Sequence, residues 1–280
     1  MIKVLDPGFY TSIQDAGRFG CQNYGVPVSG SMDQGSANMA NRILGNPNSK
    51  ALLELTMIGC VLKFECNTHI SITGSDMDPK LNNLSIEMYS SLEITKGDVL
   101  SFGRVKDGFR TYLAFKGGID SEKVMNSRSM YNGLTNQFKL NKNDEVHLND
   151  FSKELTGKHE GSIKKMVMSN ILECYKGPEF NMLSKQNKEL LIEKEYSISN
   201  NHNRMGYVLN QKIDNNLKSI ITSHVLPGTV QLTLGGRLII LMKDAQTTGG
   251  YPRVLQLTAK SIDILSQKKT SSIIKFQLIN

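Results

Sequence analysis

Short apolar or alternating runs, each cut off by Gly, Asp, Asn or Pro, recur along the chain and leave little room for long helices. They include Cys60–Phe64, His69–Thr73, Leu92–Ile94, Val99–Phe102, Arg110–Phe115, Val230–Leu234 and Leu238–Met242. Runs of this length, with turn residues at close intervals, predict antiparallel sheets or barrels. The opening residues Met-Ile-Lys-Val-Leu-Asp-Pro-Gly read as a first strand running into a turn. One amphipathic helix is predicted over Ser31–Leu44. Asp33 can cap its first turn, Met39, Ile43 and Leu44 supply its apolar stripe, and Gly45 stands where a C-terminal glycine belongs. Further helices are expected over Asn181–Lys188 and Ala259–Gln267.

The polar segment Asn149–Lys165, with Gly157 and Gly161 in it, reads as a linker. It divides the chain into an N-terminal β-rich subdomain, 1–150, and a C-terminal β-rich subdomain, 166–280, joined by 151–165. A faint echo supports two similar halves: Lys96–Phe102 and Lys269–Phe276 each read as a turn followed by a closing strand. A chain of 280 residues can bury a sizeable core. Hydrophobic content of 39%, 24 glycines and 7 prolines speak against disorder and against a repeat array. No apolar run approaches the roughly 20 residues of a membrane helix. The first residues lack a secretory apolar core, so a cytoplasmic protein is expected. Cys21, Cys60, Cys66 and Cys174 show no zinc-like spacing and read as reduced and structural. The net charge of +7 is mostly lysine spread along the chain, with a local doublet at Lys164-Lys165. Without a basic stripe interleaved with aromatics, nucleic acid is not an expected partner.

The stretch with most chemistry follows the Leu238–Met242 run: Asp244-Ala245-Gln246-Thr247-Thr248-Gly249-Gly250-Tyr251-Pro252. Adjacent glycines allow positive φ and close approach of a ligand. Their N–H groups, flanked by Thr247 and Thr248, can form an anion-binding nest. Asp244 can hold a metal, a hydroxyl or a basic partner. The bland alternative is a plain hairpin turn.

Three other motifs carry similar double readings. Gln14-Asp15-Ala16-Gly17-Arg18 offers an amide, a carboxylate and a guanidinium suited to an anionic ligand, or a surface Asp–Arg pair worth under about 1 kcal/mol. Ser29-Gly30-Ser31-Met32-Asp33 leads into the first helix, where an anion site and simple capping by Ser31 or Asp33 use the same N–H groups. Arg204-Met205-Gly206-Tyr207 can hold a ligand carboxylate or phosphate with Tyr207 packed beside it. Alternatively, Arg204 snorkels over the tyrosine at the surface. Ser127-Arg128-Ser129 is a weaker candidate of the same kind. The five histidines show no ligand spacing, and only His202, close to Arg204, merits watching. No phosphate loop, zinc helix, nucleophile elbow or biotinylation sequence is present.

Ordered blocks along nearly the whole chain carry a resemblance. They run from Val4-Leu5-Asp6-Pro7-Gly8, Ser12–Arg18 and Gly25–Asp33 through Ala40–Asn46 and Leu53-Glu54-Leu55-Thr56. Tyr112-Leu113-Ala114, Gly117-Gly118-Ile119, Ser127–Ser129, Arg204–Tyr207 and Gln246–Pro252 follow. In this order they resemble the family of C-type subunits of prokaryotic 5-oxoprolinase, also described as allophanate-hydrolase-type or biotin-dependent carboxyltransferase homologues. The resemblance implies a mainly β protein with a few helices, built as two barrel-like subdomains of cyclophilin-like character. It implies a hydrolase component that uses ATP with Mg²⁺ and acts with a paralogous B-type subunit to phosphorylate 5-oxoproline. Ring opening to glutamate would fall to a third, hydrolase subunit. Asp15, Arg18, Asp33, Arg204 and Asp244 would be its catalytic residues. Gln14, Gly30, Ser31, Met32, Tyr207, Gln246, Thr247, Thr248, Gly249, Gly250 and Tyr251 would bind substrate or phosphate. The family usually has Asp where this chain has Asn203, which removes a charge there. Two alternatives remain open: the carboxyltransferase component of a biotin-dependent urea carboxylase, and a non-catalytic regulator of a kinase-inhibitor-like partner.

Overall fold

Alternation of side chains sets the strands. Ile273–Leu278 turns Ile274 and Phe276 inward and leaves Ile273, Lys275 and Gln277 exposed, the period of two expected for a strand wet on one face. The computed structural model describes residues 1–150 and 169–279. The expected linker, 151–165, and the first residues of the expected C-terminal subdomain, 166–168, lie outside the described residues. The described chain forms two compact units, 1–18 with 29–150 and 19–28 with 169–279. It is mainly β, with three α-helices among the described residues, as the sequence predicts.

The first unit holds two sheets. One runs in the order Tyr10–Gln14, Leu52–Thr56, Asp107–Phe115, Thr68–Asp76, Ser91–Ile94. The other places Ile2–Asp6 between Glu145–Leu148 and Val61–Phe64, with Val99–Ser101 beyond. Ile2, Val4, Leu62, Phe64 and Leu100 from one sheet and Leu53, Leu55, Ile72, Leu113 and Phe115 from the other share one core. The opposite face of the first sheet is also buried. There Leu52, Tyr112 and Ala114 pack against Ala37 and Ala40 of helix α1, Gln34–Ile43, and against Leu44, its C-cap. Leu52–Thr56 is therefore buried along its whole length, so Glu54, which shares the face of Leu52, enters an apolar interior.

The second unit is a closed barrel in the order Ile171–Lys176, Arg253–Leu257, Thr229–Leu232, Arg237–Leu241, Gly206–Lys212, Tyr196–His202, Ile273–Leu278. All its ladders are antiparallel except the closing one, where Ile171–Lys176 runs parallel to Ile273–Leu278. Closure leaves no open edge. The turn Lys269–Ser272, closed by Ser272 N donating to the Lys269 carbonyl, feeds that last strand. The echo at Lys96–Phe102 is likewise a turn, Thr95–Asp98, ahead of Val99–Ser101.

The helices differ in detail from expectation. Helix α1 starts at Gln34 rather than Ser31, because the Asp33 carboxylate accepts from Ser36 N (2.9 Å) and fixes itself as the N-cap. Ser29 and Gly30 ahead of it hold left-handed φ of 55° and 85°. Gly45 ends the region with φ 65°, its N–H on the Arg42 carbonyl. The expected Asn181–Lys188 helix is a short 3₁₀ turn, Phe180–Met182, followed by α2, Lys185–Glu193. Ser184 caps α2 by accepting from Asn187 N, restarting the helix four residues late. Thr258 caps α3, Ala259–Ser266, in the same way through Ser261 N.

Within the barrel, Phe276 is 1% exposed and its ring lies 5.5 Å from that of Tyr196. Phe276→Ala is expected to cost about 3–5 kcal/mol, measured by guanidinium unfolding. A loss below about 1 kcal/mol would show that the interior collapses around the gap.

Candidate functional site

In the first unit, the two N-terminal motifs meet. Gly30 packs so closely on Gly17 that a Cβ on Gly30 would lie 2.9 Å from the Gly17 backbone, and Ser31 N donates to the Asp15 carbonyl. The Asp15 carboxylate is a hub. Its Oδ1 accepts from Gly17 N (2.9 Å), Ser127 Oγ (2.8 Å) and Ser129 Oγ (2.7 Å), and its Oδ2 from Arg128 N (2.7 Å). Arg18 is wholly buried and donates through Nε and Nη2 to the carbonyls of Val124 and Ser129. Gln14 donates to Ser12 Oγ and the Met130 carbonyl. The surface Asp–Arg pair is thus ruled out: this is a buried polar clamp. Asp33 is spent on Ser36, through N (2.9 Å) and Oγ (2.6 Å). Met32 is fully buried, and its N–H donates to Glu54.

The motifs read from the sequence give Glu54 no functional role, although a glutamate inside Leu52–Thr56 is the signal that marks it. Its Oε2 accepts from Met32 N (2.7 Å) and Tyr112 Oη (2.9 Å), and Arg110 Nε lies 3.6 Å from its Oε1. Tyr112 Oη in turn accepts from Asp33 N (2.7 Å). Burial, with Glu54 beside it, holds the Tyr112 phenol well above its ordinary pKa, so it stays a donor. Arg128 pairs with Asp120 (2.8 Å) and donates to the Ser121 carbonyl. It lines a cleft of about 540 Å³ that also takes in Glu122, Thr135 and Asp144.

The barrel brings the other motifs together. Arg204 and Asp244 form a bidentate ion pair, Nε–Oδ2 2.7 Å and Nη2–Oδ1 3.1 Å, both residues 7% exposed. Asp244 N also donates to the Arg204 carbonyl (2.8 Å). Asp244 has therefore taken the basic partner among its three options, and Arg204 does not snorkel at the surface. Tyr207 is fully buried and stacks on His202, centroids 4.9 Å apart. Asn203 Oδ1 accepts from Met205 N (2.8 Å) and Gly206 N (3.3 Å), an acceptor role that Asp would fill equally and that needs no charge.

The glycine nest is not found. Neither Gly249 nor Gly250 takes a positive φ; Thr248–Gly249 is instead a short strand paired with Ser223–His224. The loop still frames a cleft of about 440 Å³, to which Gln246 and Tyr251 contribute, while Thr247, Thr248, Gly249 and Gly250 do not line it. Asn200, Asn201, His202, Asn203, Met205 and Gln231 complete its polar and sulfur lining, over Val208, Ile239 and Leu241. Five of these side chains are carboxamides, and no Asp, Glu, Lys or Arg is among them. Gln231 carries no motif in the sequence. It is 1% exposed in the buried strand Thr229–Leu232, and its Nε2 has no protein partner, a state that costs about 1–3 kcal/mol.

Among the described residues no group of His, Cys, Asp or Glu side chains could hold a metal ion. Asp244, the carboxylate read from the sequence as able to hold a metal, is paired with Arg204. No helix among the described residues is long and apolar enough to cross a membrane.

The fold is that of urea carboxylase carboxyltransferase domains: the urea amidolyase structure from K. lactis matches all of this chain with a TM-score of 0.88 at 26% identity, over 19% of its own length. The chain belongs to the carboxyltransferase-domain family, subdomain A and B, whose model matches residues 24–278. Its homologues include the C-type subunit of 5-oxoprolinase from Escherichia coli K12, 31% identical over 91% of this chain and 83% of that protein. The urea amidolyase of Saccharomyces cerevisiae is 40% identical over 46% of this chain and 7% of its own length.

Two predictions concern the barrel's ion pairs. Asp244→Asn leaves Arg204 buried without a counter-charge and is expected to cost about 3–5 kcal/mol, much of it recovered in Arg204→Met/Asp244→Leu. Urea denaturation of the single and double variants checks this; a single variant as stable as the wild type would show that the pair contributes nothing. Glu179 accepts from Arg253 N (2.8 Å), Nε (3.0 Å) and Nη2 (2.8 Å), and the Arg253 guanidinium holds its pKa below the ordinary 4.5. A depressed folded-state pKa gives stability that is present above the unfolded value and lost as pH falls through the folded one. The melting-temperature gap between wild type and Glu179→Gln should therefore hold at pH 7 and close below about 4.5. A gap that stays constant down to pH 3 would contradict the assignment.

Proposed function

We propose that this chain acts as the C-type subunit of an ATP-dependent 5-oxoprolinase and that the barrel cleft holds the lactam ring of 5-oxoproline. The observation that carries this reading is the cleft lining: five carboxamides, a histidine and a tyrosine, without a charged side chain. Carboxamides donate and accept in one plane, which suits the adjacent N–H and C=O of a lactam. Phosphate, and equally the carboxylate that 5-oxoproline carries beside its ring, calls for cations or a cluster of N–H donors, which in this reading come from the B-type subunit. The similarity to the C-type subunit of the E. coli enzyme, over 91% of this chain, supports this choice of reaction.

In this reading the chain binds and orients the lactam. The groups that handle ATP and its Mg²⁺ come from a paralogous B-type subunit, and ring opening to glutamate is finished by a third, hydrolase subunit. Gln246 and Tyr251 grip the ring from the loop, Asn203 and Met205 from the opposite turn, and the Arg204–Asp244 pair holds the two segments in register. The Asp15, Glu54 and Asp33 clusters act as framework for the first unit. A ureido ring offers the same N–H and C=O edge. The likeness to the K. lactis urea carboxylase structure, TM-score 0.87 at 25% identity, keeps carboxyl transfer from a biotin-type donor as a second reading.

The test is ATP hydrolysis by this chain co-expressed with homologues of its two partner subunits, with and without 5-oxoproline. Stimulation is expected. Gln246 is exposed, so Gln246→Ala should leave the melting temperature unchanged while lowering kcat/KM for 5-oxoproline about three- to tenfold, the value of one hydrogen bond. A stable complex without stimulated turnover would sink the proposal.

A further inference from the structure

We infer that Gln231 is the residue that reads the ring carbonyl, its Nε2 donating to the carbonyl oxygen of the lactam, and that Gly249 is a positioning residue for it. The inference rests on the proposed function and names the substrate-binding donor within that site. Gln231 lies in the middle of Thr229–Leu232, a strand buried at every residue. It lines the cleft, yet its Nε2 is buried and has no partner in the protein. An unpaired buried donor destabilises the fold, and an apolar side chain of the same shape would remove that cost. A group of this kind is satisfied when a ligand brings the missing acceptor. The donor is neutral and the lining around it uncharged, so of the acceptors on 5-oxoproline it matches the ring carbonyl rather than the carboxylate.

Gly249 is a second observation at the same atom. Its backbone takes no left-handed φ and sits in a short strand opposite Ser223, so conformational freedom does not explain the glycine. Space does: a Cβ at this position would lie 2.5 Å from Gln231 Nε2. Any side chain here would push the amide out of place. Because that amide is the far end of a flexible side chain, the fold itself can absorb the push, and what is lost is the donor's position.

The experiment uses the co-expressed complex, with Gln231→Met and Gly249→Ala. Gln231→Met is expected to keep or raise the melting temperature of this chain, to raise KM for 5-oxoproline about tenfold and to leave KM for ATP unchanged. Gly249→Ala should raise the same KM with little change in melting temperature. L-Proline, which lacks the ring carbonyl, should compete for the wild-type site no better than for Gln231→Met. An unchanged KM in Gln231→Met, or a fall of several degrees in its melting temperature, would overturn the inference while leaving the proposed function standing. If the wild-type complex does not respond to 5-oxoproline at all, the proposed function fails and this assignment with it. If instead biotin, as a ureido probe, stabilises the wild type but not Gln231→Met, the donor reads a ureido carbonyl and the lactam assignment is overturned.

Discussion

The barrel cleft depends on one buried ion pair. Arg204 sits in the turn between two barrel strands, and Asp244 in the loop that leaves a third. Their bidentate contact, together with Asp244 N on the Arg204 carbonyl, fastens turn to loop. Asn203 and Met205 line the cleft from the turn, Gln246 and Tyr251 from the loop. A buried pair of this type adds little net stability, because desolvation offsets most of the attraction. Its contribution here is register, since the two segments that carry the lining cannot slide past each other while the fork is made. A closed pair also projects little net charge, so the neutral lining above it is not overwhelmed by a neighbouring ion.

The first unit solves a related problem by saturation. Asp15 enters the interior and meets four donors; Glu54 does the same between a tyrosine, a backbone N–H and an arginine. Buried charges with full sets of partners hold loops in place but have little capacity left for a ligand. The carboxylates of Asp15 and Glu54 are thus met by donors of the chain itself, while the barrel cleft is lined by amides.

Much of the fold is legible in the sequence because one face of nearly every strand is buried. Val61–Phe64, Val99–Ser101 and Arg237–Leu241 form where apolar runs end in turn residues. Helix α2 begins later than its apolar pattern suggests because its start is set by Ser184, a cap competing with the apolar signal of Phe180 and Met182. In the candidate site, the motifs around Asp15, Arg204 and Asp244 are visible as charge beside glycine, but their partners are not. Arg204 and Asp244 lie 40 residues apart, and only barrel closure brings them together. A single glutamine in a strand, as at Gln231, reads as ordinary alternation; what marks it is the absence of a partner, which sequence does not encode. Gly249 and Gly250 suggest backbone freedom, yet Gly249 is small to make room for a neighbour.

That last difference bears on how function is kept in a stable interior. Asp15, Glu54 and Asp244 could each be buried only with partners supplied by the chain. Gln231 is buried without one for its Nε2, and Gly249 keeps space for the amide at the expense of packing. Stability alone favours an apolar side chain at 231 and a larger residue at 249. The two departures are adjacent, since a Cβ at 249 would meet the Gln231 amide at 2.5 Å and displace it. In the proposed reading, the pair keeps a position open for the substrate. The barrel concentrates it in the one wall of the cleft where a rigid, fully buried strand can hold a donor still.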